Sequence, residues 1–442
     1  MSQSKDYQAK TLQGFNDYFA EDVRIREYIK SIFRTTYEKY GFEPLETPAL
    51  EYSELMLGQS GFEAEKQYYR FRDNGDRDVM LKFEVMISMC RAVAQSYNTI
   101  VFPYKRYQIQ NVWRAEKVQK GRYREFTQMD ADTLGTTSML ADAEIIQMGI
   151  EVIQKLGFEG FSARISNRKF LEGLAEYYKI DPSKYYDFFM SIDKLEKIGK
   201  DQVIKELIDK RGIDSTIAEE SIRTLLEGSK LSLFDDLFSF FDKTVGQTNI
   251  GKEALNEVSQ IIQYLQSVGV DKKYYKFDPT IARGLASYTG PVWEFTVLEG
   301  GVGSIAGGGR YDKAIEKYIG ISIPATGISF GLERISDIII SREMYKPESN
   351  LKVLVTIFSE ETKNKSIEVV NYLRTENISA TLYPEIAKLE KQFKYADRKK
   401  IPFVIIIGPD EISTNTLQLK DMMNRSQQQV TIEDLVMKLK LT

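Results

Sequence analysis

The sequence predicts an α+β protein in two parts: an antiparallel sheet flanked by helices and interrupted by a helical insertion, then a small α/β domain. Three observations predict it. Strand signals rich in β-branched and aromatic residues recur at 104–113, 124–134, 291–298 and 304–306. The stretch 167–265 repeats charged and apolar residues at helical period instead. Beyond residue 351 the two patterns alternate as β-α-β-α-β.

Taken in order, Ile25, Ile29, Ile32, Phe33 and Tyr37 stand at helical spacing, with Asp22 placed to cap the start and Gly41 just past the end. A long amphipathic helix over 22–40 follows. Pro44 and Pro48 then bracket an extended piece unsuited to the middle of a ladder. In the helical stretch, Ser166 and Asn167 signal a cap, and Gly199 breaks one helical run into two. The predicted organisation is a sheet domain over 1–166 and 266–342, an insertion over 167–265, a linker at 343–350 and a separate domain over 351–442.

Composition removes whole classes of chemistry. The 442 residues include one cysteine, Cys90, and no histidine, where average usage would give on the order of ten histidines. No imidazole relay, HExxH zinc site, intramolecular disulfide or cysteine-bound cluster can be built from this chain. Catalysis falls to arginine, carboxylates, hydroxyls and backbone amides. The 60 basic and 64 acidic side chains give a net charge of −4, so any nucleic-acid surface must be local. The N-terminus has no apolar targeting core, and no apolar run is long enough for a membrane span, which predicts a cytoplasmic protein.

Three segments concentrate polar chemistry. In 111–135, period two places Arg122, Arg124, Phe126, Gln128, Asp130 and Asp132 on one strand face. Such a face is either a solvated edge hairpin or a site for a ligand carrying both phosphate and ammonium, which arginine forks and carboxylates respectively match. In 278–312, glycines at 300, 301, 303 and 307–309 precede Arg310 and Tyr311, reading equally as a glycine-rich hairpin or as close backbone approach to a ligand. In 326–340, Arg334 opens a helix, where a bound anion would offset its unfavourable place on the dipole.

Together the three resemble the signature motifs of class II aminoacyl-tRNA synthetases, and the linking segments resemble the histidyl-tRNA synthetase family over essentially the whole chain. The helix from Asp22 with Pro48 is similar to motif 1, RAEKVQKGRYREF (114–126) to motif 2 and FGLER (330–334) to motif 3. IARGLASYTGPVWE (281–294) and AGGGRYD (306–312) are similar to the family's two histidine-specific peptides. LEKQFKYADRKKIPFVIIIGPDE (389–411) resembles its C-terminal anticodon-binding domain.

The resemblance implies ATP-dependent ligation of L-histidine to tRNA(His) through a histidyl-adenylate, with Mg²⁺ accompanying ATP and a homodimer formed at motif 1. It implies Arg114 and Arg283 beside the α-phosphate, and Glu116, Arg122, Phe126, Glu333 and Arg334 around the rest of ATP. Glu84, Met86, Gln128, Asp132, Ser287, Tyr288 and Tyr311 fall at the histidine-binding positions, and Gln119 and Lys120 near the tRNA acceptor end. The chain departs from the family at Phe83, Met86, Ala286 and Ser287, where a proline, a threonine, an aspartate and a tyrosine are usual. Losing the hydroxyl at Met86 implies a lost polar contact of about 1 kcal/mol. These departures motivate one alternative to the histidine ligase, a ligase for another amino acid; a second, a non-catalytic regulatory paralogue of histidine biosynthesis, is opposed by the C-terminal domain and the arginines that the chain keeps.

Overall fold

The computed structural model describes residues 9–57, 68–119, 121–231, 233–282, 288–298, 303–347 and 349–441. Contacts divide the chain into two compact units, Met1–Tyr345 and Lys346–Thr442.

The first unit is built on an eight-stranded sheet. In chain order its strands are β1 (Glu43–Pro44), β5 (Tyr104–Trp113), β6 (Glu125–Leu134), β7 (Phe161–Asn167), β8 (Tyr275–Phe277), β9 (Pro291–Val297), β10 (Ser304–Arg310) and β11 (Ala325–Gly331). In space they run β1-β5-β6-β11-β10-β9-β7-β8. The six central strands are antiparallel, as the sequence predicts. The short outer strands β1 and β8 pair in parallel, which makes the sheet mixed. Pro44 sits on the edge strand β1, where its missing N–H costs no ladder bond. A small sheet, β2-β4-β3, joins Leu50–Tyr52 (β2), Arg70–Arg72 (β3) and Asp78–Leu81 (β4).

Two expectations fail here. Strand β10, predicted to end at Ala306, runs through Gly307, Gly308 and Gly309 to Arg310 in an antiparallel ladder with β9. The strands beside it explain the composition: a Cβ at Gly308 would stand 2.3 Å from Gly327 O and 2.5 Å from Trp293 Nε1. Nor does β6 belong to an edge hairpin. It lies inside the sheet between β5 and β11, so its polar face cannot be a solvated rim.

The first helix spans Ala20–Lys39 and buries Ile25, Ile29, Phe33 and Tyr37, four residues apart, against the sheet. Its cap position is Phe19, which makes no side-chain cap bond; Asp22 is not the cap but sits in the first turn beside Glu21, where acids suit the dipole. Tyr37 Oη donates to Met129 O at 3.0 Å, and Arg26 pairs with Glu333 at 3.0 Å, fixing the helix across β6.

The predicted insertion contains helices from Arg168–Tyr177 through Asn249–Ser267. They share one apolar core with the sheet. Asn167 caps the first of them by accepting from Lys169 N at 2.9 Å. Gly199 separates Leu195–Ile198 from Lys200–Asp209.

Beside this core, Arg164 on β7 pairs with Asp278 at 2.8 Å, with Glu294 at 2.8 Å and with Glu196. Asp278 and Glu294 are nearly inaccessible, so removing the arginine takes the nearest cation from two buried carboxylates. Arg164→Met is expected to lower the unfolding free energy by about 3–5 kcal/mol in urea titration. A loss under about 1 kcal/mol would show that the cluster relaxes into solvent.

The second unit has a five-stranded sheet ordered β13-β12-β14-β15-β16, from β12 (Val353–Val355), β13 (Ala380–Leu382), β14 (Phe403–Ile406), β15 (Leu417–Asp421) and β16 (Ser426–Val430). The first three strands are parallel and are linked by helices at Glu360–Thr375 and Leu389–Arg398, the predicted β-α-β-α-β pattern. An antiparallel hairpin and a last helix, Ile432–Leu441, complete it.

Candidate active site

Strands β6, β10 and β11 and the Leu332–Ser341 helix surround a cavity of about 420 Å³. The described nucleotide-contact candidates Arg114, Glu116, Arg122, Phe126, Glu333 and Arg334 all line it. Arg114 follows β5; its Nε donates to Phe83 O at 2.9 Å, and its guanidinium lies 5.0 Å from the Phe126 ring centre. One of five donors is thus spent on holding the fork in place, and the others remain for an anion. Glu116 pairs with the exposed Arg122 at 3.6 Å.

Arg334 donates to Gly121 O at 3.3 Å and Ser304 O at 2.5 Å, tying the helix start to the turn before β6 and to β10. These carbonyls offset part of the dipole cost that the sequence left to an anion. Glu333 accepts from Thr127 N at 3.0 and 3.1 Å. Its carboxylate, pushed up by burial and held down by Arg26, therefore links helix and strand while facing the cavity.

A second cavity of about 210 Å³ adjoins the first. Glu84, Met86, Gln128, Asp132, Tyr288 and Tyr311, all candidate histidine contacts, line it, and Gln128, Tyr288, Gly307 and Ser329 line both cavities. Glu84 occupies the bend before the Met86–Gln95 helix, not a strand edge. Burial raises its pKa, and Arg114 pulls it down, which places that arginine within electrostatic reach of both cavities. Asp132 is paired with the buried Arg106 at 2.5 Å and accepts from Tyr311 Oη. Its floor is open because Gly327 lies opposite: a Cβ there would stand 1.8 Å from Asp132 Oδ1.

Arg283, Ser287 and Lys120 lie outside the described residues, as do Leu285 and Ala286. Gln119 lies in the turn between β5 and β6, exchanging backbone bonds with Arg122. The structure adds residues to which the resemblance assigns no role. Asp130 lines the smaller cavity; burial, reinforced by Asp132 and opposed by Arg106, pushes its carboxyl up to about 8. Alternation along β6 had placed Asp130 on the correct face. Arg106 and Ser329 join it from the neighbouring strands, and only the register of β5 and β11 could reveal them.

Comparison with known proteins accords with this geometry. The histidyl-tRNA synthetase family model matches residues 14–335, and the anticodon binding domain model matches residues 352–441. The histidine–tRNA ligase of Clostridium tetani is 38% identical over 432 residues, 96% of either chain. That of Cytophaga hutchinsonii is 34% identical over 450 residues, covering 97% of this chain and 98% of the relative. A crystal structure of histidyl-tRNA synthetase from Nostoc superposes with a TM-score of 0.86 at 29% identity, covering 99% of this chain and all of the other. A Bacillus halodurans structure described as an ATP phosphoribosyltransferase regulatory subunit/histidyl-tRNA synthetase has a TM-score of 0.76 at 21% identity, covers 91% of this chain and 99% of the other, and shows the shared fold alone. With a family match across most of the chain and full-length relatives above 30% identity, the protein belongs to the histidyl-tRNA synthetase family.

Proposed function

We propose that the chain activates L-histidine with ATP and passes it to tRNA(His). A histidine carboxylate oxygen attacks the α-phosphorus, the bond to pyrophosphate breaks, and histidyl-adenylate forms. A ribose hydroxyl of the terminal adenosine then attacks the acyl carbon and AMP leaves. The observation that carries this reading is the shared wall: Gln128, Tyr288, Gly307 and Ser329 border a nucleotide-sized cavity and an amino-acid-sized one, so two substrates meet there. The full-length relatives named histidine–tRNA ligase favour this over a regulatory paralogue or a changed amino acid.

The first step needs no protein base, because a carboxylate is already ionised near neutrality. It needs positive charge at phosphorus, which Arg114 and, by resemblance, Arg283 supply. Phe126 offers its ring to adenine, with Glu116, Arg122, Glu333 and Arg334 around the base and phosphates. Glu84, Gln128 and, by resemblance, Ser287 hold the amino acid's polar end beside Met86. Asp132 and Tyr288 meet the imidazole nitrogens, and Tyr311 closes the pocket.

Among the described residues no group of three or more acidic or thiol side chains is placed to hold a metal ion. Mg²⁺ would accompany ATP, and Glu116, whose partner Arg122 is exposed and 3.6 Å away, is the carboxylate on that cavity that would hold it, Glu333 being engaged by Thr127 and Arg26. The ion would supply positive charge to the phosphates. Gln119 and Lys120 would meet the tRNA acceptor end, and the second unit the anticodon. Exposed Leu50, Tyr52 and Phe71 on the β2-β4-β3 sheet, beside Pro48, support a homodimer at motif 1. No helix among the described residues is long and apolar enough to cross a membrane, which suits a cytoplasmic enzyme.

The test is ATP–pyrophosphate exchange across the twenty amino acids. Exchange is expected with L-histidine; exchange with none refutes the ligase, and exchange with another alone transfers the reading to that substrate.

A further inference from the structure

We propose that Asp130 is the residue that grips the α-ammonium of the amino acid substrate, sharing it with Gln128 and Glu84. This rests on the reading that the smaller cavity takes the amino acid.

Asp130, Asp132 and Glu84 are the carboxylates at that cavity. Asp132 accepts from Tyr311 Oη through Oδ1, and its Oδ2 is ion-paired with Arg106 at 2.5 Å although no well-directed hydrogen bond joins them. Asp130 is 6% exposed, bonds Ser329 through its side chain, and keeps Oδ1 buried without a hydrogen-bond partner. Gln128 Nε2 donates to Ser329 Oγ at 2.9 Å, and its Oε1 is likewise buried and unpartnered. Unlike Asp132 Oδ2, these two acceptors have neither a hydrogen bond nor an ion pair, which is costly unless a donor arrives to use them. An ammonium brings three N–H donors, matching Asp130 Oδ1, Gln128 Oε1 and the Glu84 carboxylate, and its charge restores the ionised form of Asp130 that burial disfavours.

The strand sets the order of contacts. Gln128, Asp130 and Asp132 alternate on one face of β6, about 7 Å from one to the next. Gln128 also borders the nucleotide cavity, and Asp132 lies at the end held by Tyr311. An amino acid that turns its carboxylate toward ATP therefore sets its ammonium near Asp130 and its side chain toward Asp132. Met86, on the same cavity, offers no acceptor of comparable strength.

The experiment measures histidine-dependent ATP–pyrophosphate exchange by the full chain with two competitive inhibitors. L-Histidinol keeps the ammonium and lacks the carboxylate; 3-(imidazol-4-yl)propionate keeps ring and carboxylate and lacks the ammonium. Asp130→Asn is expected to raise KM for histidine and Ki for histidinol about 30-fold, the loss of one charge-assisted bond. Ki for the propionate should stay within about threefold, since it makes no use of that bond. Equal weakening of both inhibitors would mean damage to the fold of the pocket and would overturn the assignment. So would an unchanged histidinol constant, or weakening of the propionate alone, which would put Asp130 on the ring. Should Asp130→Asn fail to fold, Asp130→Ser is read by the same split. A wild-type chain without histidine-dependent exchange removes the functional reading and this inference with it, an outcome distinct from a wild type that works and a variant that matches it.

Discussion

Arg114→Ala is expected to slow histidyl-adenylate formation about 10³-fold, at the upper end of what one preorganised donor contributes at a centre where charge develops. The guanidinium is fixed on two sides, by Phe83 O at 2.9 Å and by the Phe126 ring, so it needs no rearrangement when the pentacoordinate phosphorus forms. Its electrostatic reach to Glu84 joins the phosphate site to the amino acid site. Because the contact strengthens in the transition state, kcat should fall far more than KM for ATP rises. Arg114→Lys should recover little, since a point charge cannot hold Phe83 O and an anion in one plane. Single-turnover formation of adenylate measures the effect directly; a rate within about tenfold of wild type would place the phosphorus elsewhere. Arg283→Ala, placed by sequence alone, should lower the same rate by several orders of magnitude with the thermal midpoint unchanged.

Gly327→Ala should cost about 10²-fold or more in histidine affinity, roughly 3 kcal/mol. The added Cβ would lie 1.8 Å from Asp132 Oδ1 and 3.0 Å from Ala131 O. Asp132 cannot swing away cheaply, because Arg106 and Tyr311 hold both its oxygens and a displaced carboxylate would leave a buried arginine unpaired. The nucleotide cavity does not include Gly327, so ATP binding should be retained. Calorimetric titration with L-histidine and with ATP separates the two. Unchanged histidine affinity would put the substrate ring away from Asp132.

The central sheet was legible where side chains advertise it. Strand β5 appears over the predicted residues Tyr104–Trp113, and β6 and β9 differ from expectation by one residue at one end, because aromatic and β-branched residues mark them. Strand β10 was cut short at Ala306, since its next three residues are glycines with no strand preference of their own, chosen by the crowding of β9 and β11. Strands β1 and β8 are two and three residues long and exist through pairing with partners far along the chain, which no local pattern encodes. Motif resemblance carried the candidate nucleotide contacts to numbered positions, and all the described ones meet in one cavity. Asp130 was read with Asp132 as a carboxylate suited to an ammonium, but motif resemblance gave it no numbered place in the pocket, because strand alternation names a face without naming what it meets. Arg106 and Arg164 were invisible for a related reason: a buried arginine is explained by partners such as Asp132 or Glu294 that only the fold brings near.

Strand β6 finally acts as a gauge. Phe126 on the larger cavity and Asp132 on the smaller sit on one face, six residues apart along a single extended chain, about 20 Å. That length is set by covalent geometry and by the ladders with β5 and β11, so neither substrate can be moved relative to the other by adjusting a loop. With the substrates seated as proposed, size selection would follow without any separate device. A side chain shorter than the gauge leaves Asp132 unmet, a longer one drags its carboxylate out of line with phosphorus, and residues around either cavity can vary while the spacing between them is kept.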